Sequence, residues 1–124
     1  MMPFFRLIRI QNLLMMAVSL SLFYFFLLVP AHHFKLFTKL TPLSNLEFML
    51  FVLSVTCIAA AGNIINDYFD TEADAAYKPN RPIGKGEISA DTAIYLHAAF
   101  AFIGIGLGFY LGWRSNQVKI GYLY

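Results

Sequence analysis

Three stretches almost free of charge divide this chain: Leu13 to Val29, Phe48 to Ile65 and Thr92 to Trp113. Each is long enough to cross a hydrocarbon core of about 30 Å, so the pattern predicts an all-α membrane protein with three transmembrane helices. Extended to their flanking cap and interface residues, these helices cover about 10–30, 45–72 and 91–113. Composition agrees, with 59% of residues hydrophobic and 13% charged, against about 25% charged in soluble domains. Arg6 and Arg9 before the first stretch resemble the start of a signal peptide. The apolar run is long for a signal core, and Val29-Pro30-Ala31 is a poor small-residue cleavage site, so a retained helix is expected.

The polar punctuation fits three spans. Phe4 and Phe5 with Arg6 and Arg9 read as an interfacial lead-in. Pro30 and Pro42 bound a first loop, Ser44 or Asn45 is the expected cap of the second helix, and Ser89 or Asp91 that of the third. Ala59-Ala60-Ala61-Gly62 forms a strip that lets a neighbouring helix approach closely, and Gly104, Gly108 and Gly112 recur every four residues as a second packing stripe. His32 and His33 are adjacent loop residues without ligand spacing, His97 reads as a hydrogen-bonded histidine, and the single Cys57 as a small core residue. A net charge of +2 with scattered basic residues argues against nucleic acid as a partner. Arg6, Arg9, Lys78, Arg81 and Lys85 fall on one side, against Lys35, Lys39, Arg114 and Lys119 on the other. That bias puts the N-terminus in the cytoplasm of a multi-pass protein of the cell inner membrane.

Polar residues at the end of the second span change the picture from anchor to chemistry. At about 100° per residue, Asn63, Asn66, Asp67, Asp70 and Asp74 fall within an arc of roughly 100° on one helical face, with Glu72 opposite. Carboxylates at membrane depth cost several kcal/mol unless compensated. They also crowd a helix C-terminus, where the macrodipole is already negative. A divalent cation would relieve both penalties, and hard oxygen donors without Cys or His suit Mg²⁺ or Ca²⁺. Since Mg²⁺ leaves positions open to water and phosphate oxygens, the substrate implied is a phosphate or diphosphate. Lys78 and Arg81 follow the acids closely enough to grip phosphate, Arg as a fork and Lys as a point charge. Arg9 and Asn12, three apart on one helical face at the cytoplasmic mouth, could anchor to headgroups or reach an anionic substrate.

The segment Asn66-Asp67-x-x-Asp70-x-x-x-Asp74, preceded by Asn63 and followed by Lys78-Pro79-x-Arg81-Pro82, resembles the first Asp-rich motif of the UbiA superfamily of intramembrane prenyltransferases. The resemblance covers roughly residues 59–95 closely and the Arg9 to Asn12 entry more loosely. It implies a nine-helix bundle around a central cavity, of which residues 1–124 would be the N-terminal part of a single domain, the rest of the same polypeptide completing it. It implies Mg²⁺-dependent transfer of a prenyl chain from its diphosphate to an acceptor. Asp67, Asp70 and Asp74 would be catalytic, with Asn66 among the metal ligands, and Asn63, Asn66, Lys78, Arg81, Arg9 and Asn12 would bind substrate. Tyr68 is one candidate for stabilising allylic charge. The second Asp-rich motif lies on a later helix and is absent here, so this chain alone is expected to be inactive.

Within the superfamily, Ala-Ala-Gly-Asn-Ile-Ile-Asn-Asp-Tyr-Phe-Asp is most similar to the geranylgeranylglycerol-phosphate geranylgeranyltransferase branch, which implies a glycerol-phosphate lipid acceptor among membrane lipids. Relatives that prenylate aromatic acceptors for quinone or haem synthesis carry the same motif. An ion-coupled transporter is the alternative of a different class; it predicts acids spread through the membrane depth and breaks within helices. A CDP-alcohol phosphotransferase should also show Asp-Gly and Ala-Arg elements, which this chain lacks.

Overall fold

The computed structural model describes residues 2–30, 43–70, 82–83 and 86–121, with side chains of the last helix described to Arg114. A short helix α1 (Pro3–Leu7) opens with proline in its first turn, where a missing N–H costs nothing. After a break at Ile8 and Arg9 the chain enters α2 (Ile10–Phe23), which continues through a π-helical turn, Tyr24–Leu28. Two long helices follow, α3 (Asn45–Phe69) and α4 (Ala90–Gly121). Three segments, Ile10–Leu28, Asn45–Phe69 and Ala90–Arg114, are long and apolar enough to cross a membrane, as the pattern predicts.

The caps fall on the serines. Ser44 Oγ accepts from Glu47 N–H at 3.3 Å while Ser44 N–H donates to Glu47 Oε2 at 2.9 Å, a complete capping box. At α4, Thr92 N–H donates to Ser89 Oγ at 3.2 Å. The helix α4 runs past the expected end near Trp113 to Gly121. Arg114 marks an interface without stopping a helix, and neither proline nor glycine intervenes between it and Gly121.

Helices α3 and α4 form an antiparallel pair joined by three polar contacts in register. Arg114 Nε donates to Glu47 Oε1 at 2.8 Å, Ser54 Oγ to Gly104 O at 2.6 Å, and His97 Nδ1 to Ala61 O at 3.0 Å. The glycine stripe is half realised: a Cβ on Gly104 would meet Ile58 Cγ1 at 2.6 Å and Ser54 O at 2.9 Å, and one on Gly108 Ser54 Oγ at 3.5 Å, whereas Gly112 faces open space. Of the small-residue strip on α3, Ala60 and Ala61 are buried and Gly62 is exposed. Helix α3 is the most enclosed, 33% of its spanning window being buried against 11% in α2 and 6% in α4. Phe26, Phe102 and Phe109 stand on the outer faces, a surface suited to lipid or further helices.

Packing differs at the two ends of this pair. At the end carrying Glu47, Tyr24 stacks on Phe48 with centroids 4.2 Å apart, Phe25 meets Phe48 edge-on, and Tyr24 OH donates to Leu43 O. At the other end Leu7, Ile8, Leu13, Ala60, Ile64 and Ala93 make the aliphatic core, flanked by Phe4 against Phe100. That core underlies the Asp-rich segment.

Candidate functional site

Asp67 occupies the last turn of α3 and is almost wholly enclosed, 3% exposed. A carboxylate there has lost water and faces the negative end of the helix dipole. Arg9 compensates it: Arg9 Nη2 lies 2.9 Å from Asp67 Oδ1. The Arg9 side chain is 34% exposed, so the pair joins a buried anion to a partly exposed cationic side chain.

The backbone explains how Arg9 reaches this position. Arg9 has φ 54° and ψ 55°, and is the sole non-glycine residue with positive φ among those described. For a residue with a Cβ that conformation costs about 1–2 kcal/mol. It ends α1 and caps α2, so that Asn12 N–H donates to Arg9 O at 2.9 Å instead of to Ile8 O. The Ile8 carbonyl, displaced from the helical ladder, is taken by Asn63 Nδ2 at 2.9 Å. Leu7 and Ile8 are buried beside Ile64, which fixes the break in place. The expectation that Arg9 and Asn12 share one helical face is therefore corrected: the left-handed turn places Arg9 outside the helix. The two still line one open groove with Phe5, Arg6, Ile10 and Gln11.

The rest of the motif divides by depth. Asn66 is exposed and its Nδ2 donates to Asp70 Oδ2 at 3.1 Å. Asp70 closes α3, its N–H donating to Asn66 O at 3.0 Å. Asn63, half-buried one turn above Asp67, is engaged with Ile8. Asp74, Lys78 and Arg81 lie outside the described residues, as do Glu72, His32 and His33. Among the described residues no three His, Cys, Asp or Glu side chains come together; Asp67 and Asp70 are the two acids of the motif that are placed. Their oxygens and the Asn66 amide oxygen are hard donors of the chemical type Mg²⁺ prefers, with no soft ligand among them. Cys57 is buried mid-helix, as expected. Tyr68 packs edge-on against Phe69 at 5.4 Å.

Residues 27–116, which contain the Asp-rich end of α3, are matched by a family model for UbiA prenyltransferases. The chain belongs to the UbiA prenyltransferase family. It is accordingly a multi-span integral membrane protein. This UbiA chain is 39% identical over 80 residues to a digeranylgeranylglyceryl phosphate synthase of Pyrococcus horikoshii, covering 64% of this chain and 28% of the relative. It is 36% identical over 104 residues to the synthase of the same name from Sulfurisphaera tokodaii, covering 84% and 34%. A third, from Korarchaeum cryptofilum, is 47% identical over 55 residues, covering 44% and 20%. The chain thus spans about a third or less of the length of these relatives. No solved structure matches it.

Sequence reasoning named the acids and missed the long-range contacts that set the packing around α3. The Ile8–Asn63 bond and the Ser54–Gly104 bond connect residues 55 and 50 positions apart. Nothing in local spacing announces either.

Proposed function

We propose that the protein transfers a prenyl group, geranylgeranyl by the names of its relatives, from its diphosphate to a glycerol-phosphate lipid precursor in the membrane. The observation that carries the reading is Asp67, buried at the end of a spanning helix, with Asn66 and Asp70 beside it in a UbiA chain. Family membership and the relatives' shared name support the reaction class and the acceptor.

In this reading Asn66, Asp67, Asp70 and Asp74 hold Mg²⁺, and Lys78 and Arg81 grip phosphate oxygens. When bound, the cation supplies positive charge that offsets the departing diphosphate. The bond from the allylic carbon to the diphosphate oxygen breaks, a bond to the acceptor's hydroxyl oxygen forms, and the hydroxyl proton is released. Asp67 is kept in place by Arg9 and by the aliphatic core behind it. Low dielectric around α3 strengthens every charge interaction at its end. The N-terminus and the Asp-rich end face the cytoplasm, on the side with five of the nine basic residues.

The test uses membranes containing the protein expressed from its full reading frame. They are supplied with geranylgeranyl diphosphate and a glycerol phosphate bearing one geranylgeranyl ether. The expected result is a doubly prenylated product that requires Mg²⁺ and disappears on chelation. Prenylation of an aromatic acceptor instead would overturn the acceptor, and ion uptake into vesicles without any prenyl diphosphate would overturn the enzyme.

A further inference from the structure

We propose that Arg9 is a positioning residue for Asp67: it holds the buried carboxylate and supplies its counter-charge, in place of gripping the substrate's phosphate directly. Three observations carry this. The guanidinium meets Asp67 Oδ1 at 2.9 Å, and Asp67 is 3% exposed. Arg9 adopts a left-handed backbone that an arginine rarely takes, and a strained residue persists only where its surroundings over-determine it. The strain is held by a device on the same helix as the acid, since Asn63, one turn before Asp67, captures the carbonyl that the break releases. Helix α3 therefore both carries the carboxylate and fixes the backbone that aims the cation at it.

The consequence is a division of labour among the cations. Lys78 and Arg81 follow the motif in sequence and are suited to phosphate, while Arg9 offers one contact to one carboxylate oxygen. A single contact needs charge and reach but no bidentate fork, so lysine should replace arginine here. A divalent cation arriving at Asp67 meets the Arg9 charge, which opposes it. Removal of Arg9 takes one positive charge away from the buried carboxylate and from the path of a metal ion that would bind it.

This rests on the metal reading above, and the test separates the two. Thermal unfolding of the full-length protein in lipid nanodiscs is followed with chelator and with Mg²⁺. The proteins compared are wild type, Arg9→Ala, Arg9→Lys, Asp67→Asn and the double variant Arg9→Ala/Asp67→Asn. Mn²⁺ binding is read by electron paramagnetic resonance. Under chelation, Arg9→Ala is expected to melt roughly 5 °C lower, with most of that loss absent when Asp67 is already asparagine. Arg9→Lys should stay within about 2 °C of wild type. Mn²⁺ should bind Arg9→Ala about tenfold more tightly, the effect of removing one like charge from the neighbourhood of a divalent ion. Additive losses in the double variant would overturn the proposal, as would a fall in Arg9→Lys equal to that in Arg9→Ala. Should Arg9→Ala fail to accumulate, the lysine variant decides by itself: melting near wild type supports the pairing, and collapse overturns it. Absence of Mn²⁺ binding in every protein would overturn the metal reading alone, because the coupling under chelation is measured without metal.

Discussion

Two ion pairs sit at opposite ends of the α3–α4 pair, and they are built on opposite principles. Glu47 lies in the first turn of α3, where the helix dipole favours an anion, and Ser44 already satisfies it locally through the capping box. Arg114 adds a contact at 2.8 Å from a side chain that is half exposed. Asp67 lies in the last turn of the same helix, where the dipole disfavours it, is almost fully buried, and meets a cation delivered by a strained backbone. One end is arranged with its local electrostatics and the other against them. Stability alone would favour an apolar residue at position 67, so an arrangement held against local preference is what the proposed function calls for at this end.

Activity separates the ends most sharply. Asp67→Asn is expected to lower kcat/KM for prenyl transfer by at least about 10²-fold, while Glu47→Gln changes it less than about twofold; equal losses would erase the distinction. Between the ends, Gly104→Ala should cost about 1–3 kcal/mol, because its Cβ would press on the Ser54 carbonyl as well as on Ile58. Gly106→Ala, where a Cβ meets nothing within 4 Å, is the control and should be neutral or slightly stabilising on chemical unfolding. A smaller effect isolates the backbone at Arg9. Arg9→Gly and Arg9→Ala both lose the ion pair, yet glycine should be more stable by about 1 kcal/mol because it accepts φ 54° without strain. Smallest of all, Arg114→Gln should shift the melting temperature by less than about 2 °C, and that shift should vanish in high salt.

Much of the fold was legible beforehand. Uncharged runs announced three spans, and Ser44 and Ser89 were among the expected caps of the second and third. Gly104 and Gly108 of the glycine stripe pack as expected, and Gly112 does not, because the described part of the chain places no neighbour against it. The break at Arg9 was not legible, since no glycine, proline or asparagine stands there to signal a left-handed turn. Its conformation is held from outside, by an amide on α3 and by burial of Leu7 and Ile8.

The sequence by itself determined which segments can live in a membrane and where two helices begin. Those properties depend on neighbours within a turn or two. Only the tertiary structure decided that Asp67 is enclosed, that Arg9 pairs with it, and that Asn63 Nδ2 donates to the Ile8 carbonyl. Each depends on groups at least 55 residues apart. In low dielectric a buried charge or carbonyl must find a partner wherever the fold brings one, and spacing along the chain carries no record of which it will be.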